Sequence, residues 1–429
     1  WCFKIAVWNL SQNRFGITLL VRFSKKFQKS INIALLNFSR IVLSQNGDLL
    51  IMFDPNKRLT LKFGLAAASA MGLPSVALSQ KPFLTLTDLA NRRVSLAKQP
   101  QTFVVANYIA NFLFVGGAAG VNRIVGITAD GWEATRYAEY TRYTEAFPTL
   151  KEVPSIGGYH DDILNTERIL AIKPDVLLLS LTQYAQNAQR LRLLENAGIA
   201  VIVLDYHAMT LENHVKSTQI LGQLLNREEV ANAQILRYRD VINTLQSRIA
   251  KIQPKAKETP VYVECGNLGV GSYGNSYNKT VLWGGILQRL QANNIAADMP
   301  APYAALSREY VLSKNPGIIF IAGSIWQNAA ENDQMRMGLM VSRDEALTRL
   351  EGFAKRPLWD RLDAVRNKRI YGVDHGSLRS MLDYTFAVFM AQIIYPGVFD
   401  EYDPEGEIQA FYKRFLPEVD SRGTFTLKP

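Results

Sequence analysis

Two cysteines, Cys2 and Cys265, are all that this 429-residue chain contains. That excludes a disulfide scaffold and a structural zinc cluster. Histidine is nearly as scarce, with four residues too scattered to read as a zinc site. No interior run of 18 or more apolar residues is present, so no segment reads as a membrane span. The common catalytic signatures HExxH, GxSxG and CxxC are absent. The glycine run Gly269–Gly274 lacks the Lys-Ser/Thr pair and the following helix start of a phosphate loop. Cys265, alone beside a predicted strand, reads as an inert small hydrophobe.

The charge is +10 overall but unevenly placed. Residues 1–51 carry +6, from Lys4, Arg14, Arg22, Lys25, Lys26, Lys29 and Arg40 against Asp48. Residues 52–79 carry +2, from Lys57, Arg58 and Lys62 against Asp54, which leaves +2 for the body. A near-neutral body has no electrostatic reason to grip a phosphate backbone, so nucleic acid is not an expected partner.

Residues 52–79 have the form of a secretory signal. Lys57, Arg58 and Lys62 form a positive start, Phe63–Leu73 a short apolar run, and Pro74 a break before the small residues Ala77 and Ser79. Cleavage is expected before Gln80. No Cys follows the apolar run, so a soluble periplasmic product is expected rather than a lipid-anchored one. Residues 1–51 lie upstream of this signal and read as translated upstream sequence without an assigned function.

From about residue 84 short apolar runs alternate with helical patterns, the mark of an α/β protein with sheets flanked by helices. Strands are expected at Thr102–Ala106, Ile124–Ile127, Val176–Ser180 and Val201–Leu204. Residues 226–252 hold neither Gly nor Pro and place Val230, Ile235, Leu236, Val241, Ile242 and Leu245 at helical spacing. This predicts one long, stiff connecting helix that ends at Pro254. Strands resume at Val261–Glu264, Ile318–Ile321 and Ile370–Val373, followed by a helical tail at Tyr384–Ile394 and Ile408–Phe415. The expected division is an N-terminal lobe at 80–222, a connecting backbone helix at 223–255 and a C-terminal lobe at 256–429.

An internal repeat supports two similar lobes. Glu167 precedes Pro174 by seven residues and Glu309 precedes Pro316 by seven, each followed by an apolar strand, a loop, a helix and another strand. With Asn165-Thr-Glu167-Arg-Ile-Leu-Ala-Ile-Lys-Pro-Asp175, Leu306-Ser-Arg-Glu309-Tyr-Val-Leu312, Leu221–Asn226 and Trp359–Arg369, the body resembles the periplasmic binding proteins for ferric siderophores, haem and cobalamin. The resemblance covers about residues 84–415. It implies two lobes that shift only slightly around a backbone helix, a metal chelate as ligand, no catalysis, and delivery to the permease and ATPase of an inner-membrane ABC importer. It also implies that Glu167 and Glu309 meet permease arginines, one per lobe. On their own, the two acids read equally as helix-dipole partners behind the caps Asn165 and Ser307.

Ligands of open α/β sheets meet the loops at the carboxyl ends of strands. Those loops offer Tyr108, Trp132, Arg136, Tyr137, Tyr159, Tyr184 and His207 in the first lobe and Tyr273, Tyr277, Trp326, His375 and Arg379 in the second. Aromatic faces suit a flat or aryl-bearing ligand, and Arg and His suit an anion. Taken with the resemblance, a ferric siderophore-type chelate is the expected ligand of a monomer with no resident cofactor. Whether a side chain ligates the metal is left open. Molybdate or a similar oxyanion, cobalamin and haem are the alternative ligands. A metal-dependent enzyme on a similar two-lobed scaffold is the alternative of another class, and Tyr137, Tyr140 and Tyr143 read equally as a packed helix stripe.

Overall fold

The computed structural model describes residues 82–158, 162–326 and 333–429, together with five short strands between Gln12 and Met52. Two compact units result, Trp1–Ser79 and Gln80–Pro429. In the first, Gln12–Asn13 pairs with Gly16–Ile17, and Leu49–Met52 lies between Leu19–Val21 and Arg40–Leu43. The expected signal segment after Met52 falls outside the described residues.

The second unit opens with a hairpin of β1 (Leu84–Thr87) and β2 (Arg93–Leu96). Its first lobe is built on β3 (Phe103–Val105), α1 (Ile109–Val121), β4 (Ile124–Ile127), α2 (Ala129–Thr135), α3 (Tyr137–Ala146), α4 (Thr166–Ile172), β5 (Val176–Ser180), α5 (Leu181–Asn196) and β6 (Ala200–Leu204). The four strands form a parallel sheet in the order β6-β5-β3-β4. Two helices follow, α6 (Leu211–Leu225) and α7 (Glu228–Ile249).

The second lobe holds β7 (Pro260–Cys265), β8 (Asn275–Tyr277), α8 (Leu282–Arg289), β9 (Asn293–Asn294), β10 (Tyr303–Ala305), α9 (Arg308–Lys314), β11 (Ile318–Gly323), β12 (Gly338–Leu339), α10 (Arg343–Ala354), α11 (Asp363–Arg366) and β13 (Ile370–Asp374). The chain ends through α12 (Asp383–Ile394), α13 (Pro404–Phe415), β14 (Gly423–Thr424) and β15 (Thr426–Leu427). The sheet order is β9-β7-β11-β13-β15, parallel except for the last strand.

The two sheets repeat one topology. The order β4-β3-β5-β6 in the first lobe matches β9-β7-β11-β13 in the second. The helices that carry the repeated acids hold the same place: α4 precedes β5, and α9 precedes β11. Central strands such as VLLLS in β5 and IIFIAG in β11 are buried at every position, as parallel strands covered by helices on both faces must be.

The connecting helix is shorter than the sequence pattern implies. Asn226 sits in the left-handed region at φ 55° and ends α6, and Arg227 caps the start of α7. What looked like one helix over 226–252 is therefore the second arm of a tight helical pair, 22 residues or about 33 Å long.

A buried polar cluster ties this arm to both lobes. His214 of α6 and Tyr238 of α7 both bond Asp383 of α12, with His214 Nε2 at 2.6 Å and the Tyr238 hydroxyl at 2.7 Å. Arg289 of α8 donates to the Tyr238 hydroxyl at 3.2 Å. All three of His214, Tyr238 and Asp383 are fully buried. Asn111 of α1 adds a second tie. Its amide donates to the Arg379 carbonyl at 2.9 Å, and its oxygen accepts from the Met381 N–H at 3.1 Å.

Candidate functional site

The carboxyl ends of the two sheets face a cleft between the lobes, with a volume of about 540 Å³. Arg136, His207, Tyr277, Trp326, His375 and Arg379 line it, six of the twelve residues expected from the sequence. Most are delivered by a strand end or a helix junction. His207 follows β6, and His375 follows β13. Tyr277 ends β8, and Arg136 sits where α2 gives way to α3.

Arg379 and its surroundings are held stiffly. Its φ of 69° is uncommon for a non-glycine residue, and the Asn111 amide clasps its carbonyl. Arg136 donates to the Gly376 carbonyl and lies 3.9 Å from buried Glu139. Burial pushes the carboxyls of Glu139 and Asp374 upward, and Arg136 opposes that rise in both.

Both cleft histidines are neutral rings. Burial lowers His207 to about 4, with Arg136 adding to the effect and Asp205 opposing it. Burial lowers His375 to about 3, helped by the charges of Arg136 and His207. Each has an inward partner on Nδ1: the Tyr108 hydroxyl at 2.6 Å from His207, and the Trp283 indole N–H at 3.0 Å from His375.

The remaining expected residues stand elsewhere. Tyr108 and Trp132 lie behind the cleft wall around a small cavity of about 40 Å³. Tyr108 supports His207 there, and Trp132 donates to Glu139 at 2.7 Å. Tyr137 is a partly exposed first-turn residue of α3, outside the cleft wall. Tyr140 and fully buried Tyr143, on the same helix, meet Trp132 edge-on, so the packed stripe holds for these two and not for Tyr137. Tyr184 is not in a loop. Ser180 and Gln183 close a capping box that starts α5 at Leu181, and Tyr184 turns away to lie under Arg92 at 4.4 Å. Tyr273 packs on Arg356 at 4.7 Å and accepts from the Trp359 indole at 2.6 Å, which draws it out of the cleft. Tyr159 lies outside the described residues.

Sequence reasoning missed Asn107, Asp162, Asn267, Asn275 and Tyr303, which also line the cleft. Tyr303 faces Tyr277 across the β8–β10 pair. These three-residue strands are too short for a periodic signal. Asn267 and Asn275 flank the glycine run, whose role is architectural. Gly269 has φ +74°, and at Gly274 a Cβ would sit 1.8 Å from the Cys265 carbonyl. The loop closes over buried Arg356, which forks onto Glu264 at 2.7 and 2.9 Å and binds the carbonyls of Gly269, Val270 and Ser272. Cys265 lies beneath it, its thiol raised by burial to about 11. Among the described residues, no group of three or more His, Cys, Asp or Glu could hold a metal ion.

A family profile described as periplasmic binding protein matches residues 121–375. The chain belongs to the periplasmic binding protein family. The TroA-like periplasmic binding protein FepB from Veillonella parvula is 30% identical, with a TM-score of 0.73 over 80% of this chain and 99% of that one. The uncharacterized ABC transporter substrate-binding lipoprotein YvrC of Bacillus subtilis is 23% identical over 74% of this chain and 87% of its own length. The vitamin B12-binding protein of Yersinia pestis is 30% identical over 43% of this chain and 60% of that protein.

In this periplasmic binding protein Glu167 and Glu309 are both exposed. Each stands second in its helix, behind Asn165 and Ser307, whose side chains accept from the backbone N–H three residues on. Arg308 pairs with Glu309 at 3.3 Å. The two acids are thus equivalent in topology, capping and exposure, one on each lobe.

Proposed function

We propose that this chain captures an anionic metal chelate of the ferric siderophore class in the interlobe cleft and delivers it to an inner-membrane permease coupled to an ATPase. The observation that carries this reading is the cleft itself. Two guanidinium groups, Arg136 and Arg379, stand among the rings of Tyr277, Tyr303 and Trp326 in a space of about 540 Å³. That size falls in the range of about 300–1,000 Å³ typical of small-molecule sites. The cations supply charge for an anion, and the rings supply flat apolar contact for an organic frame.

Glu167 and Glu309 then serve as the permease-docking pair. Two carboxylates on a stiff body define an orientation and steer encounter. The lobes are fastened by the Asp383 cluster and the Asn111 clasp, so docking reads a nearly constant spacing rather than a large closure. Residues 52–79 act in this reading as the export signal that brings the body to the periplasm.

Titration of the purified protein against ferric tris-catecholate, ferric citrate, a ferric hydroxamate, haem, cobalamin and molybdate, followed by tryptophan fluorescence, tests the assignment. Trp326 in the cleft wall supplies the signal. Saturable one-to-one binding of an anionic ferric chelate is the expected result. Tight binding of molybdate alone would replace the chelate with a bare oxyanion, which Arg136 and Arg379 would also suit. Preference for cobalamin or haem would shift the ligand class and leave the carrier role in place.

A further inference from the structure

The tautomers of the two cleft histidines are written in their inward partners. An indole N–H can only donate. The Trp283 N–H lies 3.0 Å from Nδ1 of His375, so Nδ1 must present its lone pair and the ring proton must sit on Nε2. A proton on Nδ1 would set two donors against each other inside a buried contact, since Trp283 is fully buried. Transfer of the proton to Nδ1 is therefore opposed, and so is formation of the imidazolium.

His207 reaches the same state by another route. Its Nδ1 lies 2.6 Å from the Tyr108 hydroxyl. Among the described residues that ring nitrogen is the hydrogen-bond partner the structure gives the buried phenol hydroxyl. The buried hydroxyl hydrogen is satisfied when it points to Nδ1, which again leaves the proton on Nε2. Both residues line the cleft, and in each ring Nδ1 is the nitrogen that Tyr108 or Trp283 engages.

We propose that His207 and His375 are fixed Nε2–H hydrogen-bond donors to the outer oxygens of the ligand, and that neither supplies a bond to a metal. A metal bond through Nε2 would require an unprotonated Nε2, the arrangement that Trp283 and Tyr108 oppose. The burial-lowered protonation of both rings is consistent with this geometry. The cleft thus presents two neutral donors beside two cationic ones. It selects a ligand whose periphery is rich in oxygen acceptors and whose metal, if present, is coordinatively complete before capture. Trp283 and Tyr108 are positioning residues in this scheme. The proposal deepens the chelate-carrier reading and rests on it for the ligand, though not for the state of the rings.

The test has two arms. The sequence holds only four histidines, so nitrogen-15 histidine spectra of the ligand-free protein, assigned with single His→Gln variants, read each ring directly. The expected result is a bare Nδ1 and a protonated Nε2 at both His207 and His375. A bare Nε2 at either position overturns the assignment for that ring. In the second arm, His375→Gln keeps an N–H near the Nε2 position, whereas His375→Phe does not. Affinity for ferric tris-catecholate should fall about tenfold or more in His375→Phe and be largely retained in His375→Gln. A ferric chelate with two open coordination positions should show no new charge-transfer band on binding. Such a band, lost in both variants, would make His375 a metal ligand and sink the proposal. Failure of every ferric chelate to bind would count against the chelate-carrier reading, while the nitrogen spectra would still decide the donor assignment.

Discussion

His214 and Asp383 lie 169 residues apart in the chain, yet their Nε2 and Oδ2 atoms meet at 2.6 Å with both side chains fully shielded from solvent. The contact fastens α6, at the exit of the first lobe, to α12, which closes the second. Removing one partner leaves the other polar group buried and unpaired. Asp383→Ala should lower stability by about 3–5 kcal/mol, read as a fall in the urea midpoint. An unchanged midpoint would show that the cluster does not hold the waist.

Arg379 and Arg136 are the cations of the cleft. Loss of one charge-assisted contact costs about 1.5–3 kcal/mol, so Arg379→Ala should weaken binding of an anionic chelate by about 10- to 100-fold. Isothermal titration checks this at two ionic strengths. Equal affinity in the variant and the parent would remove Arg379 from the ligand contacts.

Glu167→Ala and Glu309→Ala should leave ligand affinity intact and cut uptake in cells that carry the cognate permease. The double variant should fall furthest, because each acid serves its own lobe. Loss of affinity with normal uptake would assign the two acids to the ligand side instead.

Arg356 pins the loop that carries Asn267 and Asn275 to the cleft. Arg356→Lys keeps the charge and loses the planar fork onto Glu264. Ligand affinity should drop by about tenfold, or about 1.4 kcal/mol, with the far-ultraviolet dichroism preserved. Unaltered affinity would mean that the loop holds its shape without the fork.

Acid should destabilise this protein through the two cleft histidines. In the unfolded chain both rings titrate near the ordinary value of about 6.5, whereas folded His207 and His375 stay neutral down to about 4 and about 3. As pH falls through that window the unfolded chain takes up protons first, so the contribution present above about 6.5 is lost progressively toward 3. Urea midpoints measured between pH 7 and pH 5 should fall more steeply in the parent protein than in His375→Gln. Parallel slopes would contradict the low protonation of the ring.

Much of the α/β frame was readable because strands buried on both faces leave unbroken apolar runs such as Val176–Leu179 and Ile318–Ile321. The repeat was readable because the spacing from Glu167 to Pro174 and from Glu309 to Pro316 reports two copies of one helix–strand unit. The expected helix over 226–252 is present as α7 at Glu228–Ile249, trimmed at its start because left-handed Asn226 ends α6 there with no Gly or Pro to mark the break. Tyr184 was placed in a loop although Ser180 and Gln183 already carried the spacing of a capping box. Tyr273 is expected in the cleft from its loop position, and the structure draws it away. Its position follows from Arg356 and Trp359, more than eighty residues downstream. Tyr108 and Trp132 follow strand ends as expected, but the left-handed backbone of Tyr108 at the start of α1 and the first turn of α2 carry them behind the wall they support.

The central claim is that an anionic ferric chelate sits between the lobes, held by the side chains of Arg136, Arg379, His207 and His375. A crystal of the protein grown with ferric tris-catecholate, with data collected at the iron absorption edge, tests it most directly. The account predicts one strong anomalous peak in the interlobe cleft, with no protein atom at bonding distance from the iron. A peak outside the cleft, or none in a crystal where the chelate is bound in solution, would contradict it.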